Sequence, residues 1–191
     1  MDQVIRIRRW KLVTDGFRRF VCLLATLALL VPVRAAAADE RLEYQVKAAF
    51  LLNFTKFIEW PASAFDAPDS PIVICILGDD PFGKTLDQIV AGEVVAGRKI
   101  VVQRIRRLPP IKSCQELFVY RQEKEVLKTL PAMGPGVLTI GEGESFVRDG
   151  GMIAFVVENR RVRFGINESA AASAGLKLSS KLLNVAKSVE K

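Results

Sequence analysis

Pro71-Ile72-Val73-Ile74-Cys75-Ile76-Leu77, followed at once by Gly78-Asp79-Asp80-Pro81-Phe82-Gly83-Lys84-Thr85, is the stretch that decides the fold. Residues 71–77 are apolar without alternation, as in a strand covered on both faces of a parallel sheet. The next eight residues open a helix, with Asp80 placed for the N-cap and Pro81 for the first helical position. Phe82, Leu86, Ile89 and Val90 carry that helix to a stop at Gly92. A strand that runs straight into a helix predicts crossover units and a largely parallel sheet.

The rest of the chain extends this pattern. Strands are expected over 97–105, 116–120 and 137–140, with a helix over 122–130 between the last two. Residues 152–157 and 162–166 flank Glu158-Asn159-Arg160-Arg161, which reads as a hairpin turn. The segment 168–190 reads as helical with an interruption at Gly175. Upstream, 40–60 reads as one long helix on the stripe Leu42, Val46, Phe50, Phe54 and Ile58, ended by Pro61. The expected fold is α/β: a mixed, largely parallel sheet flanked by helices, with Rossmann-like layering and a late antiparallel hairpin.

Residues 1–38 read as a secretory signal peptide. Arg6, Arg8, Arg9, Lys11, Arg18 and Arg19 precede an apolar run over 20–33 that is shorter than the roughly 20 residues a spanning helix needs. Four alanines at 35–38 suit signal peptidase, so residues 39–191 are expected to form one exported, periplasmic domain. Of 28 Lys and Arg and 21 Asp and Glu, residues 1–38 hold seven and two, which leaves 21 cations against 19 carboxylates. The basicity of the precursor therefore belongs to its leader, and nucleic acid is not an expected partner. Cys75 and Cys114 remain after cleavage, an even count in an oxidising compartment, and are expected to form a disulfide rather than two buried thiols.

Residues 78–85 match the phosphate-loop pattern G-x-x-x-x-G-K-[ST] letter for letter. Asp79 and Asp80 would repel polyphosphate, and Pro81 removes one of the amides that should cradle it. A capped helix start explains the same residues. The chain holds no histidine, the usual general base and commonest metal ligand. Ser145, Ser179 and Ser180 lack nucleophile-elbow glycines, and Asp79-Asp80 is better explained by capping than by glycosidase chemistry. No catalytic residue, metal or cofactor is expected.

Leu51, Phe57 and Trp60 widen the apolar stripe of the first helix beyond the usual core-facing arc. One reading makes all of these aromatics core. The other places Phe57 and Trp60, with Arg163 and Phe164 of the hairpin, on a partner- or ligand-binding surface, because aromatics and arginine are enriched at binding hot spots. Strand alternation sends Arg163 to the face opposite Phe164, so Phe164 is the first of the four to read as plain core.

Tyr44-Gln45-Val46-Lys47-Ala48-Ala49-Phe50-Leu51, Asn53-Phe54, Lys56-Phe57 and Trp60-Pro61 resemble the N-terminal signature of the periplasmic YfiR-type repressors. The resemblance continues through Gly78-x-Asp80-Pro81-Phe82-Gly83, Gly97-Arg98, Cys114, Leu117-Phe118 and Val137-Leu138-Thr139. It ends in Gly150-Gly151-Met152-Ile153, Val162-Arg163-Phe164-x-Ile166-Asn167, Ala174-Gly175-Leu176 and Leu178-Ser179-Ser180. It implies a non-catalytic regulator that represses an inner-membrane diguanylate cyclase through the periplasmic sensor region of that enzyme, and so controls cyclic-di-GMP output and biofilm formation. It also implies an outer-membrane OmpA-like lipoprotein that sequesters the repressor, a homodimer, and redox sensitivity through the disulfide. The alternative is a periplasmic sensor whose aromatic pocket takes a small molecule, with no cyclase partner.

Protein from a periplasmic extract is expected to begin near Asp39 and to resist thiol alkylation until reduced. N-terminal sequencing and mass-shift labelling check both, and rapid labelling of two thiols without reductant would remove the disulfide.

Overall fold

In the computed structural model, residues 72–77 are buried at all six positions, and the sheet is assembled around them. The structure describes residues 39–108, 113–121, 128–129 and 134–191. The leader over 1–38 and most of the helix expected over 122–130 lie outside those residues. Chain contacts divide Met1–Leu42 from Glu43–Lys191, and the architecture that follows is that of the second unit.

In chain order the strands are β1 (Ile58–Glu59), β2 (Ile72–Leu77), β3 (Val94–Val95), β4 (Arg98–Ile105), β5 (Glu116–Val119), β6 (Leu138–Glu142), β7 (Ile153–Glu158), β8 (Arg161–Asn167), β9 (Lys177–Leu178) and β10 (Ser188–Glu190). Besides the helical residues 128–129, the helices among the described residues are α1 over 39–57, α2 (Lys84–Val90), α3 (Glu144–Arg148), α4 (Glu168–Ser173) and α5 (Ser180–Val185). Eight strands form one sheet in the order β10-β8-β7-β6-β5-β2-β4-β3, and β1 pairs with β9 in a separate ladder. Around β2 the pairing is parallel, with Ile72 beside Ile100 and Ile74 beside Glu116. β6 and β7 continue in parallel, and β7 and β8 form the antiparallel hairpin. Asn159 and Arg160 turn it with φ of 49° and 59°, the left-handed pair that matches strand twist in a two-residue loop.

Each face of the sheet has its own cover. On one, Ile72, Ile74, Ile76, Phe118, Ile140, Phe155 and Phe164 meet Ala48, Leu51 and Phe54 of α1 and Leu86 of α2. Phe54 lies with its ring centroid 5.8 Å from Phe155 and 5.1 Å from Phe164. On the other, Val73, Cys75, Leu77, Leu117 and Val119 pack with Phe146 and Val147 of α3. Cys75 and Cys114 are joined on this side, with Cα atoms 5.8 Å apart. Phe146 fits only because Gly141 and Gly151 flank it, since a Cβ on either would come within 2.4 and 2.2 Å of the ring.

The sheet, its parallel centre and its hairpin agree with the reading of the sequence, and three boundaries differ. α1 stops at residue 57, three residues short of Trp60, because Ile58 and Glu59 leave the helix to pair with Leu178 and Lys177. α2 begins at Lys84, not at Pro81. The segment 168–190 is not one interrupted helix: two short helices alternate with β9 and β10, and β10 joins the sheet in parallel with β8. Short strands of two or three residues carry no period for sequence reading to detect.

Glu116 departs from every rule of core composition. It lies wholly buried on β5 between Ile74 and Leu138, and neither carboxyl oxygen has a hydrogen-bond partner among the described residues. Burial pushes its pKa well above the ordinary 4.5, so the folded protein holds this proton to higher pH than the unfolded chain does. The contribution is therefore fully favourable below about pH 4.5 and is lost as pH rises through the raised folded value. Glu116→Leu is expected to flatten that decline and to stabilise the protein at neutral pH by about 1–3 kcal/mol, the cost of an unsatisfied buried polar group. Denaturant melts of both proteins from pH 4 to pH 8 measure it, and parallel curves would refute it.

Candidate partner-binding site

The phosphate-like loop is occupied by its own carboxylate. Asp80 accepts hydrogen bonds from the Phe82 amide (2.8 Å) and the Gly83 amide (3.2 Å), two donors that a phosphate would need. Its second oxygen accepts from Nε of Arg104 at 2.8 Å, and Arg104 also pairs with Asp87 at 2.6 Å. The Arg104 guanidinium holds the Asp87 carboxyl below its ordinary range. Asp80 is not the N-cap the sequence implied: Gly83 holds that position with no side-chain cap, and Asp80 instead closes the turn that precedes the helix. Lys84 is exposed.

Open α/β sheets bind ligands beyond the carboxyl ends of their strands, where the strand order reverses. Here the reversal falls between β2 and β5, because the chain runs out to β4 and returns on the other side of β2. Aromatic side chains meet there: Tyr44 of α1 stands edge-on to Phe82 (5.6 Å) and Tyr120 (6.1 Å), and Phe82 to Phe118 (4.9 Å). Beside them the buried Lys47 pairs with Glu43 and, at 2.6 Å, with Glu142. The Tyr44 hydroxyl donates to Glu142 at 3.0 Å. Burial, then the Glu142 charge, hold that hydroxyl above the ordinary phenol range.

The opposite end of α1 is open. A groove of about 410 Å³ is lined by Thr55, Ile58, Trp60, Phe65, Ile72 and Arg98, among others. Trp60 is half-buried against the core, and its indole N–H donates to the Gln115 carbonyl at 3.1 Å. Gln115 is itself buried. Its side-chain oxygen accepts from the Val73 amide (2.9 Å) and its NH2 donates to the Ala64 carbonyl (2.8 Å). Across the groove the Arg98 guanidinium lies 3.6 Å from the Phe65 ring centroid. It also donates to the carbonyls of Ala67 (3.2 Å) and Ser70 (2.6 Å).

Phe57 is 37% exposed at the end of α1 and lies beside Lys177 and Leu178 in an adjoining hollow. Phe57 and Trp60 therefore flank one region. Phe164 is 2% exposed and packs on Phe50 and Phe54. Arg163 is exposed, on the face of β8 turned away from α1. The structure does not gather the four residues into one patch. Arg98 and Phe65 complete the groove and the buried Gln115 holds Trp60 from behind it. Arg98 entered the sequence reading only through the Gly97-Arg98 of the family resemblance, and Phe65 and Gln115 not as site residues, because a glutamine before an apolar strand carries no signal of its own.

Among the described residues no helix is long and apolar enough to cross a membrane, and no group of three or more Cys, Asp or Glu is placed to hold a metal ion.

The profile of the YfiR/HmsC-like family matches residues 44–187. The chain belongs to that family, whose members are periplasmic regulators rather than catalysts. No curated protein matches the chain. Among solved structures it is similar to the ABC domain in complex with L-Trp from Streptococcus pneumonia and to a conserved domain protein from Vibrio cholerae O1 biovar El Tor. Each is 13% identical with a TM-score of 0.40, over 62% of this chain and 55% and 54% of those chains. The chain thus spans about half the length of the structures it matches.

Asp80→Ala is expected to cost about 0.5–1.5 kcal/mol, the usual net loss when hydrogen bonds such as those to the Phe82 and Gly83 amides are removed, whereas Lys84→Ala should melt with the wild type. Thermal melts with and without ATP check both: a nucleotide-dependent rise that vanishes in Lys84→Ala would restore the phosphate-loop reading.

Proposed function

We propose that the protein is a periplasmic repressor that binds the periplasmic sensor region of an inner-membrane diguanylate cyclase and thereby lowers cyclic-di-GMP output. The observation that carries this reading is the match to the YfiR/HmsC-like family over residues 44–187. The region around the end of α1 is the contact surface in this proposal. Phe57 is a large aromatic exposed beside an open apolar groove, and such patches mark interaction sites. Trp60 supplies the wall of the groove, Arg163 contributes from a separate surface, and Phe164 supports α1 from within the core. An outer-membrane OmpA-like lipoprotein that competes for the protein, and a homodimeric state, belong to the same proposal.

A second reading has its own observation. The groove joins an indole, a phenyl ring and a guanidinium over apolar walls, the mixture that small-ligand sites use. In that reading an amino acid or vitamin-like molecule bound there modulates or replaces the cyclase contact.

Phe57→Ala is expected to raise cellular cyclic-di-GMP and to weaken binding to the sensor region by about 2 kcal/mol or more, as for a hot spot, with little change in melting temperature. Trp60→Ala should do the same with a measurable stability loss, since its indole is half-buried and hydrogen-bonded. Calorimetry with the purified sensor region, run beside melting curves, separates the two effects. Full affinity in Phe57→Ala, Trp60→Ala and Arg163→Ala alike would sink the repressor surface.

A further inference from the structure

β4 is the longest strand of the sheet, and among the described residues most of its outer edge is uncovered. β3 pairs only with Arg98 and Lys99, and the Ile100 amide donates to the Glu93 carbonyl at 3.3 Å. The Ile105 carbonyl faces the other way and accepts from the Gly78 amide beside β2. Backbone groups alternate sides along a strand, so Val102 and Arg104 turn their N–H and C=O outward with Ile100. Among the described residues these four groups have no hydrogen-bond partner. Val101, on the same strand, is 37% exposed. An edge of this kind is a ready template for another strand.

The occupant follows from charge. Residues 98–107 read RKIVVQRIRR, with five cations and no carboxylate. Arg104 is compensated by Asp80 and Asp87, but Lys99, Arg106 and Arg107 are exposed. No carboxylate lies within ion-pair distance of them among the described residues. A second copy of this chain laid along β4 would set cations against cations, which destabilises cross-strand pairs. A strand carrying Asp and Glu would meet opposite charges and also complete the main-chain ladder. A nucleic acid could meet the charges but could not supply that ladder.

We propose that the outer edge of β4 is a strand-addition site for an extended, acidic polypeptide segment of a partner protein. Main-chain bonds at Val102 and Arg104 supply the register, and the Lys99, Arg106 and Arg107 charges select the sign of the partner. This surface meets the groove at Trp60 only at Arg98, and none of the residues the proposal uses lines that groove, so its test and that of the repressor reading can fail separately.

The test uses the purified protein with three probes: a capped eight-residue peptide of alternating Val and Glu, its Val and Lys counterpart, and an eight-nucleotide single-stranded DNA. Amide hydrogen exchange is followed by NMR. The acidic peptide should slow exchange at Val102 and Arg104 by about tenfold or more, and the other two probes should not. Val102→Pro, which removes an outward N–H, should abolish the protection; its melting curve reports whether the fold survives. The triple variant Lys99→Glu, Arg106→Glu, Arg107→Glu keeps every backbone donor and should transfer the protection to the basic peptide. No protection by the acidic peptide, equal protection by DNA, or protection that grows with protein concentration alone would each overturn the proposal, the last by showing a second copy on the edge.

Discussion

A central strand with no polar side must be kept dry on both faces, and the architecture of this protein is a response to that requirement at β2. Its six residues project alternately into two clusters. Ile72, Ile74 and Ile76 need α1 and α2, while Val73, Cys75 and Leu77 need α3 and the segment tied down by Cys114. The disulfide therefore sits inside one of the two covers and draws the residue before Gln115 onto the sheet. A cross-link of this span also removes loop-closure entropy from the unfolded chain, about 4 kcal/mol in the chain-entropy account. Phe146 completes the same face, and its bulk is why position 141 in β6 and position 151 just before β7 carry glycine.

The sequence exposed this centre because a fully buried strand leaves an unbroken apolar run, and the parallel order followed from the helix start behind it. What it hid was local. Ile58 and Glu59 look helical by period, yet their partners on β9 lie more than a hundred residues away, and only the fold brings them together. The C-terminal segment looked helical because its alanines favour a helix, whereas Ser188–Glu190 is decided by the open edge of β8. Leu42 and Val46 continue the apolar stripe of α1 but are exposed, and Lys47, which the stripe excludes, is buried. A charge goes inside there because Glu43 and Glu142 receive it.

The candidate site was half legible for a related reason. Two of its residues lie on α1 or just beyond it, where the width of an apolar arc can be counted. Phe164 belongs to the same aromatic cluster but faces inward, and Arg163 takes the other face of β8, so nearness in sequence became opposition in space. Gln115 was invisible because its role is made of contacts with Ala64, Val73 and Trp60, which sequence spacing cannot reveal.

The two ends of α1 are built for different work. At residues 44–47 the helix closes the place where such sheets bind ligands, using rings and a paired lysine. At residues 57–60 it runs out into an open groove whose wall is hydrogen-bonded to Gln115. That glutamine also holds Val73 and Ala64, so it joins the indole, the turn over Ala62–Ala64 and the most buried strand of the sheet. A partner or ligand that moves Trp60 must break or bend its bond to the Gln115 carbonyl, and the same carbonyl accepts the Leu138 amide at 2.8 Å. One carbonyl thus joins the wall of the groove to the start of β5 and β6. Glu116, the next residue along, is the buried acid with no hydrogen-bond partner among the described residues. The unsatisfied carboxyl of the core thus lies one residue from the glutamine that holds the wall of the groove.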